Sequence, residues 1–308
     1  KLKQERPERY KDVPLVVAAY EKSGELLNQV STVFGNLLSA ETNDDMQELA
    51  KSIMPLLSEH GNNITLNEKL FARIKAVYDQ KDQANLTPEQ NKLLEKVYNS
   101  FVRSGANLEG EAKEQYRALS KELSLLTLQF GENNLKETND YKLVLTDPAQ
   151  LAGLPQSAID AAAETAKEKG VEGWVFTLQA PSYSPFMTYA SNRDLRCKLY
   201  MAYNTKCTHD NETNNLEIVK KLVNTRLAIA QLLGYSSFAE YNLQERMAEN
   251  SGNVYKLLDQ LLDAYTPTAK QEYAEVEALA RQLEGSDFTV MPWDWSYYSH
   301  KLKDQKFQ

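Results

Sequence analysis

Few residues in this chain can do chemistry. Its 308 residues include three histidines, His60, His209 and His300, in the contexts SEHGNN, CTHDNE and YSHKLK, and two cysteines, Cys197 and Cys207. A helix-borne His-Glu-x-x-His would set two imidazoles one turn apart around a metal, with the glutamate between them as general base. None of the three histidines stands in that motif. Cys207-Thr208-His209-Asp210, with Cys197 upstream, offers metal-ligand types but not zinc-finger spacing, and a polar loop is the simpler reading. A Cys–His hydrolase would need a pair assembled from separate parts of the chain and an orienting Asn or Asp, which Cys207 and His209 do not suggest. A peptide groove is a third possibility, in the stretch Trp174–Lys206, WVFTLQAPSYSPFMTYASNRDLRCKLYMAYNTK. Tyr183, Phe186, Tyr189, Tyr200 and Tyr203 are aromatics, most with polar tips, suited to lining a groove. Asn192, Arg193 and Arg196 could meet a peptide carboxylate, since arginine binds one through two parallel hydrogen bonds. Burial of the aromatics in a core, and a solvated face or structural ion pair for the arginines, are the competing readings.

Trp174, Phe176 and Leu178 alternate with Val175, Thr177 and Gln179, which predicts a strand. Pro181 and Pro185 end the extended run, and Pro185 suits the first turn of a helix. From Phe186 the period changes to three and four, predicting one long amphipathic helix to about Tyr203. YKLVL, Tyr141 to Leu145, reads as a second strand, and the alanine-rich segment after Leu154-Pro155 as a helix between the two. The rest is helical. Glu21 to Leu38 carries the stripe Leu26, Leu27, Val30, Val33, Phe34, Leu37 and Leu38, and the next helix points Met46, Leu49, Ile53, Leu56 and Leu57 inward. Asn67 to Gln80 follows. Thr87-Pro88-Glu89-Gln90 is a capping box with proline at the first helical position. A long helix runs from about Glu109 to Asn139. Further helices are expected over Leu216 to Leu233, from Ser237 to Met247, and from Asn250 or Ser251 to Leu283, the last kinked or split at Pro267. Pro292 begins a final helix whose Trp293, Trp295, Tyr297, Tyr298, Leu302 and Phe307 are more aromatic surface than one helix face can bury. The expected fold is mainly α, a multi-helix array with one small two-stranded sheet.

Composition is that of an ordinary globular chain: 42% apolar, 25% charged, net charge -8. The 35 basic residues are dispersed, which argues against nucleic-acid binding. No apolar run reaches membrane-spanning length, and two cysteines do not make a disulfide framework. Two free thiols are the expectation, with a local disulfide as the alternative in an oxidising compartment.

Further segments carry a resemblance: AYEKSGELLNQVSTVF, SAETNDDMQELA, LNEKLFARIKAVYD, FVRSGANL, LTLQFGENNLKETNDYKLVL, LAGLP and MPWDWSYYSHKL, together with Trp174–Lys206. In this order they resemble the N-terminal part of the thimet oligopeptidase family of zinc metallopeptidases. The bacterial peptidyl-dipeptidase (dipeptidyl carboxypeptidase) branch is nearest, and the oligopeptidase A branch next. The resemblance covers nearly the whole chain.

The resemblance implies a thimet-oligopeptidase-like (neurolysin-like) N-terminal lobe, with residues 1–308 as the helical part of a channel-walled peptidase. In the family the zinc helix lies downstream of the PWDW-like segment. Zinc is therefore expected in a parent enzyme and none in this chain, which alone is expected to be inactive. The implied activity is hydrolysis of short peptides with release of C-terminal dipeptides. This part would supply channel wall, with Tyr183, Asn192 and Arg193 as substrate-facing candidates and no catalytic residue. Its implied partners are short peptides and the missing C-terminal catalytic part, with no nucleic acid and no membrane. The implied location is cytoplasmic, or periplasmic if a leader was removed. A non-catalytic helical scaffold or partner-binding module is the alternative reading of the same helices.

Overall fold

The computed structural model describes residues 13–307. Helix α1 (Val13–Lys22) and helix α2 (Glu25–Ala40) are separated at Gly24, whose φ of +82° is left-handed backbone that glycine adopts without a Cβ clash. The single helix expected from Glu21 to Leu38 is therefore two. α3 (Asp44–Thr65) starts where Asn43 accepts the Met46 N–H at 2.9 Å, and α4 (Glu68–Tyr78) where Asn67 accepts the Leu70 N–H at 3.0 Å. These side chains satisfy N–H groups that a helix start leaves open. In α5 (Pro88–Arg103) the expected capping box is complete: the Gln90 N–H donates to Thr87 Oγ1 and the Thr87 N–H to Gln90 Oε1. The long α6 (Gly110–Asp140) leads to strand β1 (Leu143–Leu145), α7 (Gln156–Glu168) and strand β2 (Trp174–Phe176). Then come α8 (Ala180–Tyr189), α9 (Arg193–Asn204), α10 (Leu216–Leu232), α11 (Phe238–Leu243) and α12 (Ser251–Glu284). A 3-10 turn (Pro292–Asp294) precedes α13 (Trp295–Phe307). The mainly helical fold with one small sheet is as the sequence predicted.

The chain divides into two compact units, residues 13–129 with 219–242, and residues 130–218 with 243–307. The core of the first gathers Val17, Phe71, Ile74, Val77, Leu94, Val97, Phe101 and Ala106 from α1, α4, α5 and the turn beyond. Phe71 stacks on Phe101 with centroids 6.2 Å apart. A second cluster in this unit joins Leu66, Tyr116 and Ile229. The stripe of α2 is present but uncovered: Leu26, Leu27, Val30, Val33 and Leu37 are exposed, as are Leu49 and Leu56 of α3, contrary to the inward packing the period suggests.

In the second unit β1 and β2 pair antiparallel, Leu143 opposite Phe176 and Leu145 opposite Trp174. Val175 and Phe176 are both buried, so β2 is covered on its two faces. Gly173 enters this strand at φ +92°, where a Cβ would lie 2.1 Å from the Leu145 carbonyl oxygen. Leu143, Leu145, Leu151, Leu154, Ala162, Phe176, Leu178, Phe186, Met187, Ala190 and Leu199 form the core. A neighbouring cluster joins Val276, Ala280 and Val290 to Tyr297 and Tyr298 of α13.

Three expectations are corrected here. The helix expected over Phe186 to Tyr203 is two, because Ala190 is extended and the Ser191 N–H donates to the Ala152 carbonyl at 2.8 Å. Pro185 lies inside α8, while Pro181 takes the first turn. Of the kink or split expected at Pro267, the split does not occur: helix α12 runs through that residue. Its neighbour one turn back, Asp263, is exposed, so water can take the carbonyl that proline leaves unpaired.

Candidate functional site

Helices α8 and α9 carry the sequence candidates. Phe186 is wholly buried and packs edge-on against Phe176 at 4.6 Å, so it is core. Tyr189 meets His300 at 4.7 Å, and Tyr200 faces Trp293 at 6.2 Å. Tyr183 and Tyr203 are brought together, stacked at 4.3 Å, with Tyr183 half-buried and Tyr203 exposed. Burial, with Tyr200 and Tyr203 alongside, pushes the Tyr183 phenol up to about 12, so it stays neutral and can donate a hydrogen bond throughout the physiological range. Lys206 Nζ lies 4.6 Å from the Tyr203 ring centroid, within cation–π range.

Asn192 caps α9, accepting the Leu195 N–H at 3.1 Å. The two arginines converge on a residue not singled out from the sequence, Asp294, whose side chain is inaccessible. Arg193 donates Nη2 to Asp294 Oδ2 at 2.6 Å and Nη2 to the Thr289 carbonyl at 2.9 Å. Arg196 donates Nη2 to Asp294 Oδ1 at 2.9 Å and Nη1 to the Ala190 carbonyl at 2.7 Å, its guanidinium lying over the Tyr297 ring. The Met291 N–H completes the set at 3.0 Å. Burial alone would raise the Asp294 carboxyl, but donation from Arg193, the Met291 N–H and Arg196 holds it below its ordinary value. The arrangement fixes α9 to the Pro292–Asp294 turn through charge-assisted hydrogen bonds. An acid between two tryptophans is a poor candidate for a solvated position, and that was the one signal of Asp294 in the sequence.

The Cys207 region is a tethered polar loop. Cys207 has φ +59°, and its N–H donates to Glu137 Oε2 at 2.7 Å. Thr213 Oγ1 donates to the same oxygen at 2.9 Å. His209 Nε2 lies 3.7 Å from Glu137 Oε1. Burial and the Glu137 contact push the Cys207 thiol up to about 11, the reverse of an activated nucleophile. Both cysteines are free thiols, as expected. Among the described residues no three His, Cys, Asp or Glu side chains are grouped to hold a metal ion. The described residues do not fit a zinc centre.

Comparison with known proteins gives this helical lobe its relationship. Residues 186–308 match Peptidase family M3. The M3 match begins at the buried Phe186 and takes in Asn192, Arg193, Arg196 and Asp294; Tyr183 lies just before it. The chain is 32% identical over 292 residues to Dipeptidyl carboxypeptidase of Escherichia coli, spanning 94% of this chain and 43% of that protein. It is 32% identical over 287 residues to Oligopeptidase A of the same organism, spanning 92% and 42%. Against Saccharolysin of Saccharomyces cerevisiae it is 25% identical over 293 residues, spanning 92% and 40%. The chain thus spans less than half the length of these curated relatives. The resemblance read from the sequence, to the dipeptidyl carboxypeptidase and oligopeptidase A branches over nearly the whole chain, is borne out. Among the described residues no helix is long and apolar enough to cross a membrane.

Proposed function

We propose that this chain is the N-terminal helical part of a zinc-dependent M3 peptidase that hydrolyses short peptides, releasing dipeptides from free C-termini. The observation that carries the reading is the 32% identity to a dipeptidyl carboxypeptidase across 94% of the chain. The chain spans 43% of that relative, which leaves room for a zinc-binding part elsewhere in the protein. In this reading residues 1–308 form channel wall and hydrolyse nothing alone. Tyr183, stacked on Tyr203, offers a neutral phenol at a partly open position. Arg193 is 39% exposed, and its Nη1 has no partner among the described residues. Asn192 commits its side-chain oxygen to the α9 cap, which leaves its exposed amide NH2 as a donor. The location that goes with the reading is cytoplasmic. No observation favours a non-catalytic scaffold.

The test is hydrolysis by the longer protein of matched peptides with free and amidated C-termini, with and without a chelator. Release of dipeptides from the free form only, abolished by chelation and restored by zinc, is expected. Equal cleavage of both forms would replace dipeptide release with internal cleavage. No hydrolysis of either would overturn the peptidase reading.

A further inference from the structure

From Ser251 to Glu275, helix α12 carries no buried residue, whereas Val276, Leu279 and Ala280 beyond it are buried against their unit. At 1.5 Å per residue this free stretch is roughly 37 Å long. Its surface is not that of a solvated helix. Tyr255, Leu257, Leu258, Leu261, Leu262 and Tyr265 are between 37% and 65% exposed. At about 100° per residue these six, with Val254 and Ala264, fill about half the circumference. Lys256, Asp259, Gln260 and Asp263 occupy the opposite side. Helices are marginal without tertiary packing, and a contiguous apolar face of this kind marks an interface.

The shape of the face discriminates between occupants. A coiled coil between two copies needs a narrow a/d seam sustained over about three to four heptads. Here the apolar run from Val254 to Tyr265 is shorter than two heptads and ends at Thr266-Pro267. A half-circumference face instead suits a helix laid into a groove between two others.

We propose that residues 254–265 of α12 dock in an apolar groove formed by helices of the same protein outside residues 1–308. This rests on the reading of the chain as part of a longer peptidase. That the chain spans only 43% of its dipeptidyl carboxypeptidase relative leaves ample polypeptide to supply such a groove.

The experiment is maleimide labelling of Leu262→Cys and Asp259→Cys, each in a background with Cys197 and Cys207 replaced by serine and alanine. It is run in residues 1–308 and in the longer protein, with amide hydrogen exchange of the unsubstituted proteins in parallel. Position 262 should label freely in 1–308 and about tenfold or more slowly in the longer protein, while position 259 labels freely in both. The amides of 254–265 should gain protection in the same comparison, a readout independent of the substitutions. Equal labelling and exchange at 254–265 in both forms would overturn the docking, whether or not the longer protein hydrolyses peptides. Concentration-dependent protection in 1–308 alone, with sedimentation as a dimer, would overturn it in favour of a second copy. Peptide hydrolysis is scored separately, so a longer protein that protects 254–265 but cleaves nothing sinks the peptidase reading and leaves the docking standing.

Discussion

Arg196 Nη2 sits 2.9 Å from Asp294 Oδ1, with the arginine side chain 1% and the aspartate 0% exposed. A pair this deeply desolvated holds only while both charges are present, because either partner alone would be a buried uncompensated ion. Asp294→Ala should therefore destabilise its unit by about 3–5 kcal/mol at neutral pH. Arg193→Ala removes a more exposed partner and leaves Arg196 and the Met291 N–H on the carboxylate, so it should cost less than Asp294→Ala. Urea unfolding of the two variants beside the parent checks the order. A larger loss from Arg193 than from Asp294 would contradict the assignment.

The same carboxylate sets a pH dependence. Its pKa in the fold lies below the ordinary value of 3.8. The contribution is then fully present above that ordinary value and is lost as pH falls through the depressed one. Stability should fall as pH drops below 3.8 more steeply in the parent than in Asp294→Asn. Denaturant midpoints across that range measure it, and parallel profiles would count against Asp294 as the titrating group.

Cys207 should be inert. With its thiol pushed up to about 11 by burial and Glu137, almost none is thiolate at pH 8. Treating the native protein with a thiol reagent at pH 8 and mapping the peptides should show Cys197, which is partly exposed, modified ahead of Cys207. Denaturant should make the two equal. Prompt native labelling of Cys207 would refute the buried, carboxylate-held thiol.

Two glycines with similar backbone should behave differently. Gly173→Ala places a Cβ 2.1 Å from the Leu145 carbonyl oxygen on top of a left-handed φ, while Gly24→Ala meets nothing within 4 Å. The second should cost about 1–2 kcal/mol, the left-handed penalty alone. The first should cost clearly more, because the β1–β2 pairing must shift. Thermal unfolding of both variants separates them, and equal losses would mean that the strand entry relaxes freely.

What the sequence determined by itself was local. Asn43, Thr87 and Asn250 each accept an N–H from the first turn of their helix, an interaction spanning three residues and so readable from residue type and spacing. The two strands were legible for the same reason, since alternation over a few positions needs no partner to be seen. Tertiary structure decided the rest. Period alone shows that α2 and α12 have apolar faces, but coverage depends on what stands opposite, and in this chain those faces remain open. The chain turns between α8 and α9 because the Ser191 N–H finds the carbonyl of Ala152, far away in sequence. Arg193 and Arg196 were readable as carboxylate binders. That the carboxylate is Asp294, 98 residues beyond Arg196, follows only from the fold that buries it, where an unpaired aspartate would be too costly to keep charged.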